Sequence, residues 1–335
     1  MADKQSFWKS DWFTGLGIVV VVGALSGTAL VEGLERWAYD VGVRWSSRSA
    51  GETGSGIDIV AIDDESIRNL GRWPWPRDMH AQLIDKLSAA GARVITPTIF
   101  YSEAQIDPGL AYINDLTAFY EDSPLVEAEL PAALEGTARE LGDRLRTARE
   151  ALDTDTKLAE SLAGAGNTVL SMQFVVGEPI GNPDAELPAF VLRNAIPAEN
   201  INLGTAMADA GWSPLPTVQA LVPIEKIGSQ AEALGHLTLY PDIDGAVRTE
   251  PLIVNYYDRY FPSQALLTAA RSLNLGVEDI VVNVGESVQL GKLTIRTDGY
   301  SQMRTFFYTE DGDKPPFRVV SAFDLPDEVR DRIAA

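Results

Sequence analysis

Ile57 to Phe100 reads IDIVAIDDESIRNLGRWPWPRDMHAQLIDKLSAAGARVITPTIF, and its apolar pattern changes period twice. IDIVAI, Ile57 to Ile62, is apolar and β-branched and predicts a buried strand. DDES follows, with carboxylates and a hydroxyl suited to turn or helix N-cap positions. From about Pro76 to Ala90 the period becomes helical: Met79, Leu83, Ile84 and Leu87 share one face and Gly91 supplies the stop. ARVITPTIF, Ala92 to Phe100, predicts a second buried strand. Strand, helix, strand at this spacing is a right-handed βαβ unit, the seed of a parallel sheet.

Downstream, residues 103 to 165 read as a helical insertion. After Pro131, Leu134, Ala138, Leu141, Leu145, Ala148 and Leu152 recur every three or four residues and Glu140 precedes Arg144 by four, which predicts one long amphipathic helix. Its stripe docks on the domain or on a coiled-coil partner. AGNTVLSMQFVV, Ala165 to Val176, predicts a third parallel strand. Gly177 to Pro223 is rich in Pro, Asn, Ala and Gly and reads as an irregular cap. Gly235 to Tyr257 gives strand, turn and strand, with PDIDG as the turn, and Phe261 to Leu273 a helix. Short β signals follow at 280–282, 288–290, 293–295 and 303–307. The expected fold class is α/β, a mixed sheet with a βαβ core and a long helical insertion, preceded by one transmembrane helix.

That helix is expected from Trp12 to Val31, WFTGLGIVVVVGALSGTALV, where no ionisable side chain interrupts 20 residues. This is about the length that crosses the hydrocarbon core. A cleaved signal peptide competes with the anchor, because the run lies near the N-terminus and is rich in small residues. Lys4 and Lys9 precede it and Arg36, Arg44 and Arg48 follow, so basic residues do not orient it. A short tail before a long acidic region places the N-terminus in the cytoplasm. Leu30, Leu34, Trp37, Val41 and Trp45 then form one stripe on a continuing helix, with Glu32, Glu35, Arg36 and Asp40 off it. The stripe packs on the chain's own domain or forms the seam of a homodimer, and Trp37, Tyr39 and Trp45 also suit the headgroup level. The organisation expected is a cytoplasmic tail 1–11, a transmembrane helix 12–31, a juxtamembrane helix and Ser/Gly-rich linker 32–56, and an extracytoplasmic domain 57–335.

Composition narrows the function. In 335 residues, 48 Asp and Glu against 27 Lys and Arg leave a net charge of −21, which opposes neutralising the phosphates of a nucleic acid. Zero cysteines exclude disulfides, thiolate metal sites and a cysteine nucleophile, and two histidines 156 positions apart make a poor metal pair. No Walker loop, Gly-x-Ser-x-Gly elbow or dinucleotide fingerprint is present. No cofactor, no metal and no catalysis are expected of this chain.

Ala61 to Ile95, AIDDESIRNLGRWPWPRDMHAQLIDKLSAAGARVI, resembles the CHASE type 2 family of extracytoplasmic bacterial sensor domains. GLERWAYDVGVRW before it looks like that family's juxtamembrane helix. Further similarity lies in YSE at 101–103, AGNTVLSMQF at 165–174, GHLTLYPDIDGAVRTEPLIV at 235–254 and FPSQAL at 261–266, so the resemblance covers Leu34 to about Phe323. It implies a sensory role in the inner membrane, with the domain in the periplasm and a cytoplasmic output such as a nucleotide cyclase or a kinase. The chain ends at VVSAFDLPDEVRDRIAA without such an output and without the family's usual closing strand, which implies a truncated form or a partner of a separate effector. Thr96, Pro97 and Thr98 occupy a region that often carries an aspartate in the family, so no role of that aspartate transfers here.

The ligand-binding candidates are Asp63, Asp64, Trp73, Trp75 and Arg77. The two carboxylates follow the first strand, where open α/β sheets place ligand groups, and suit a cation or an amine. Alternatively one caps the next helix and the other pairs with Arg72 or Arg77. Trp73 and Trp75 alternate with Pro74 and Pro76 in a stiff segment that serves as a platform or as a structural hinge. Arg77 opens a helix and faces an anion or a neighbouring carboxylate. His80 and His236 read as hydrogen-bonded structural residues able to sense pH, and Asp242, Asp244 and Gly245 as a tight turn rather than a calcium loop. A ligand or partner outside the membrane would alter the packing of the signal-transmitting residues Leu34, Trp37, Val41 and Trp45. The bilayer is the remaining partner expected. A scaffold subunit binding through 132–152, and an exported metal-dependent hydrolase using Asp63 and Asp64, are the rival readings.

Overall fold

A computed structural model of the chain describes residues 11–25, 28–46, 48–49, 56–105, 107–127, 131–183, 185–204, 207, 209–310 and 315–325. The predicted tail and most of the predicted linker lie outside the described residues. In chain order the helices are α1 (Asp11–Leu25), α2 (Ala29–Ser46), α3 (Asp64–Leu70), α4 (Arg77–Ala89), α5 (Pro108–Glu121), α6 (Pro124–Glu127), α7 (Ala132–Leu152), α8 (Thr154–Ala165), α9 (Ala189–Leu192), α10 (Glu225–Gly228) and α11 (Gln264–Ser272). The strands are β1 (Arg48–Ser49), β2 (Asp58–Ala61), β3 (Val169–Val176), β4 (Ile201–Asn202), β5 (Leu215–Leu221), β6 (Ala233–His236), β7 (Thr249–Pro251), β8 (Ile253–Tyr256), β9 (Arg259–Pro262), β10 (Ile280–Asn283), β11 (Ser287–Leu290), β12 (Leu293–Arg296), β13 (Gln302–Arg304), β14 (Tyr308–Thr309) and β15 (Arg318–Ser321). They fall into two compact units, Met1–Ile59 with Phe306–Val319, and Val60–Thr305 with Val320–Ala335.

The first unit holds α1, α2 and the parallel pair of β1 with β14. Among the described residues no helix is long and apolar enough to cross a membrane. The 15 residues of α1 rise roughly 22 Å, short of a hydrocarbon core of about 30 Å. On α1, Leu16, Ile18, Val19 and Val20 are exposed; on α2, Leu34, Trp37 and Trp45 are exposed and Val41 is half-buried.

The second unit is built on a five-stranded mixed sheet of order β6-β3-β5-β8-β9. β3 runs parallel to β6 and antiparallel to β5, and β8 is parallel to β5 and antiparallel to β9. Alternation along β3 separates two cores, as a pleated strand requires. Leu170, Met172 and Phe174 pack with Ala81 and Ile84 of α4 and Leu158 and Leu162 of α8. Val169 on the opposite face joins Leu266, Leu267 and Ala270 of α11 and the apolar side chains of β10 and β11. A second sheet, of order β12-β11-β10-β4, lies in that core.

The expected helices at 76–90 and 261–273 appear as α4 and α11, and the insertion as α5 to α8, with the long helix over Ala132–Leu152. The four late β signals are strands β10 to β13. The βαβ seed does not form. β2 pairs with β15 instead, and 92–100 makes a single bridge, Ile95 to Thr168. Pro97 lacks the N–H a ladder needs. Its carbonyl accepts side-chain donors, Ser171 Oγ at 2.8 Å and Gln264 Nε2 at 3.0 Å, while Thr96 Oγ1 meets Thr268 Oγ1 at 3.0 Å. The third predicted strand does form, as β3, with β6 as its parallel neighbour. Strand, turn and strand appear over Gly235 to Tyr257, as β6, the PDIDG turn and β7 with β8; β6 pairs with β3 and β7 with β13.

Gly235 marks the closest approach of sheet and helix. A Cβ there would lie 2.4 Å from the Gln264 Cα and 2.7 Å from its backbone nitrogen, atoms that cannot swing away. Gly235→Ala is expected to destabilise the fold by about 1–3 kcal/mol through overpacking. Gly164→Ala, in α8 where a Cβ meets nothing within 4 Å, should stabilise by roughly 0.5–1 kcal/mol. Urea unfolding midpoints of the two variants test the contrast.

Candidate functional site

Asp63 sits between β2 and α3 in extended conformation, φ −97° and ψ −179°. Its carboxylate accepts from the Ser66 amide at 2.8 Å, the Ser66 hydroxyl at 2.7 Å and the Ser321 hydroxyl at 2.9 Å. These donors, the Ser66 amide foremost, hold the carboxyl below the usual carboxylate range by favouring its charged form. Asp63 therefore caps α3 and ties it to the end of β15. Asp64 is exposed as the first residue of α3, and its carbonyl accepts from Arg68 Nε at 3.1 Å. Because β2 lies outside the five-stranded sheet, these carboxylates do not stand at the mouth of its parallel strands.

The WPWPR stretch builds a separate cluster. Trp75 is buried, and its indole donates to the Gly71 carbonyl at 2.8 Å. Trp73 is 36% exposed; its ring stacks on His80 at 5.5 Å with an interplanar angle of 11° and meets Trp75 edge-on at 5.7 Å. His80 Nδ1 shares a 3.1 Å hydrogen bond with the Tyr101 hydroxyl, and its buried Nε2 has no partner among the described residues. The aromatic platform therefore rests on a buried polar pair.

Arg77 fixes this pair to the rest of the unit. Its guanidinium lies 5.4 Å from the Tyr101 ring centroid, donates to Asp155 Oδ1 at 2.6 Å and also reaches the Glu103 carbonyl. Its amide donates to Gln105 Oε1 at 2.8 Å, which also receives Thr154 Oγ1 at 3.0 Å. Asp155 Oδ2 accepts the Gln105 amide at 3.1 Å. Residues 101–105 are thus clamped between the N-terminal turns of α4 and α8. Arg77 and Asp155 keep only 12% and 10% of their side-chain surface exposed, so solvent screens the pair weakly.

Of the five candidates, Trp73, Trp75 and Arg77 belong to this cluster, whereas Asp63 and Asp64 are bonded elsewhere. Tyr101, Gln105 and Asp155 are the participants the sequence reading missed. Their one sequence signal is the YSE block at 101–103, because Asp155 lies 78 positions from Arg77.

His80 is pushed down to about 4, from the usual 6.5, by burial first and the Arg77 charge second, with Asp78 pulling the other way. Burial raises the Tyr101 phenol, and the Arg77 charge offsets part of that. His236 is fully buried, accepts the Thr238 amide at 3.3 Å on Nδ1, and falls to about 3 through burial. Glu250 moves the other way, from 4.5 to about 7, also through burial. The PDIDG turn is held by Arg248, which donates to Asp242 at 3.0 Å and to Asp244 at 2.8 Å. Among the described residues no group of His, Asp and Glu could hold a metal ion. The groove between α4 and α8, about 490 Å³, is lined by Asp78, Asp85 and Glu160 with Lys157 as its one cation.

Removing one partner from a buried ion pair strands the other charge. Asp155→Ala should cost about 3–5 kcal/mol. Glu140→Ala, which breaks an exposed pair on α7, should cost about 0.5 kcal/mol or less. Denaturant unfolding separates the two. For His80, the folded chain takes up the proton only near 4 and the unfolded chain near 6.5, so its stabilising contribution is complete above that range and declines as pH falls through it. Glu250 has the opposite sign between 4.5 and 7, so the His80 effect must be read from a variant. The stability deficit of His80→Gln relative to the parent should be largest at pH 8 and shrink towards pH 4. A deficit independent of pH would contradict the assignment.

Among known families, the model for the CHASE2 domain matches residues 16–334. No curated protein and no solved structure matches the chain.

Proposed function

We propose, from the premise that the chain belongs to the CHASE2 domain family of extracytoplasmic sensor domains, that it is the membrane-anchored sensory part of a bacterial signalling system. It receives a ligand or protein contact outside the cytoplasm and passes it to a cyclase or kinase output inside. No catalysis is assigned to it. The observation that carries this reading is a family match spanning 16–334.

The anchor is the uncharged run 12–31. Its support is the 20-residue length without an ionisable group, together with the exposed Ile18, Val19 and Val20 of α1. Such a surface calls for an apolar surrounding. The stimulus acts at the turn from Asp63 to Arg77, where Asp64 and the outer face of Trp73 are open to solvent, and its effect reaches Leu34, Trp37, Val41 and Trp45 on α2. This coupling is a population shift, which needs only a stimulus that binds one packing better than the other.

Two reporter fusions at Ala335 test the topology. An alkaline phosphatase fusion should be active and a green fluorescent protein fusion exported in unfolded form should be dark; the reverse pattern defeats the assignment. Trp73→Ala should change the basal output of the native signalling system several-fold at an unchanged level of membrane-bound chain. An unaltered output would remove the Trp73 turn from the sensing path.

A further inference from the structure

Helix α5 carries two apolar faces, and among the described residues of its own unit only one is packed. On the inner face Thr117 is buried, and Tyr120 donates its hydroxyl to the Ala138 carbonyl of α7 at 2.7 Å. Tyr120 also lies so close to Gly142 that a Cβ there would come within 2.8 Å of its ring. The other face presents Tyr112, Leu116 and Phe119, spaced four and three apart and 73%, 50% and 76% exposed. That spacing makes one continuous stripe on a helix, and two large aromatics left so open are a recognition surface rather than scattered apolar residues.

The charge around this stripe selects its occupant. From 107 to 122 the charged residues are Asp107, Asp115, Glu121 and Asp122, and Arg139, Arg144 and Arg146 of the neighbouring α7 are each paired with a carboxylate of their own helix. Asp115 and Asp122, both exposed and seven apart, run along one flank of the stripe. A second copy of the same face would set acid against acid, and an anionic lipid surface would be repelled in the same way. From this the geometry points to a docking site for another protein's basic amphipathic helix. Its apolar side covers Tyr112, Leu116 and Phe119 while its Lys or Arg residues meet Asp115 and Asp122. This is the helix-in-groove mode of recognition, with aromatic anchors and an acidic rim that steers the approach. It does not depend on the sensory reading, since it uses no residue of the Asp63 to Arg77 turn.

The test uses the full chain in zwitterionic nanodiscs and a dye-labelled synthetic helix of Leu, Ala and Lys with one apolar and one basic face. Fluorescence anisotropy is read against empty discs, and a scrambled peptide of the same composition is the control. Saturable binding that weakens with salt is expected for the amphipathic peptide and should be at least tenfold weaker for the scrambled one. Tyr112→Ala with Phe119→Ala should weaken binding at least tenfold, and Asp115→Asn with Asp122→Asn should weaken it several-fold and flatten the salt dependence. Unchanged circular-dichroism melting keeps both results interpretable. If the aromatic variant instead loses its fold, the Asp115 and Asp122 variant alone decides. Equal binding of the scrambled peptide reduces the effect to the overall negative field and overturns the proposal, as does unchanged affinity in the variants. Self-association of the parent chain in sedimentation that disappears with Phe119→Ala would make a second copy the occupant, and binding of the face to vesicles in preference to the peptide would make it a lipid; either overturns the proposal.

Discussion

The buried ion pair between Arg77 and Asp155 holds the sensor unit's helical layer in register. Without it, the N-terminal turns of α4 and α8 would leave a guanidinium and a carboxylate in a poorly solvated space, each costing several kcal/mol. With it, the Arg77 guanidinium donates to the carboxylate and to the Glu103 carbonyl and lies against the Tyr101 ring. The second oxygen of Asp155 takes the Gln105 amide, so one pair orders a loop and two helices. The apolar contacts of Ala81 and Ile84 with Leu158 and Leu162 supply the bulk of the attraction, and their interlocking resists sliding along the helix axes. The ion pair adds a directional contact at the helix N-termini.

Legibility followed the range of the interactions. α4, α7 and α11 could be read because an amphipathic helix writes its burial into a local period. The insertion was equally plain, with i,i+4 pairs such as Glu140 to Arg144 visible in the letters. Strand partners were not legible. IDIVAI is a strand by composition, yet its neighbour is β15, and the contact that closes the turn, Asp63 to Ser321, spans 258 positions. ARVITPTIF looked like a strand because its side chains are right for one. Pro97 defeats it by withholding a donor, and hydroxyl and amide side chains then take over the bonds a neighbouring strand would have made. The irregular segment 177–223 hid β5, a central strand, because its alternation LPTVQAL is short and has a proline as its second residue.

The candidate site divides in the same way. The capping role of Asp63 was readable from DDES, since a carboxylate three residues before an amide is a local arrangement. The partner of Arg77 was not, because the sequence offers Asp63, Asp64 and many other acids and only the fold chooses Asp155. Charge is abundant in this chain and therefore uninformative about pairing. Burial makes the choice: Asp155 is among the buried charged residues, where a guanidinium has most to offer, while Asp64 stays in water.

Any stimulus at this turn acts against constraints of unequal strength. Trp75 is anchored through its indole hydrogen bond and full burial, and Arg77 through its ion pair, so neither moves without exposing what it covers. Trp73 is different. It is held by a stack on a neutral imidazole and an edge contact with Trp75, interactions of about 0.5–1.5 kcal/mol each, and a third of its surface already meets solvent. The weakest contact in a rigid frame is where a modest differential affinity produces the largest change in population. The histidine beneath it adds a second control on the same contact. A proton on His80 would place a cation beside Arg77 in a buried space, so burial and the Arg77 charge keep the imidazole beneath Trp73 neutral.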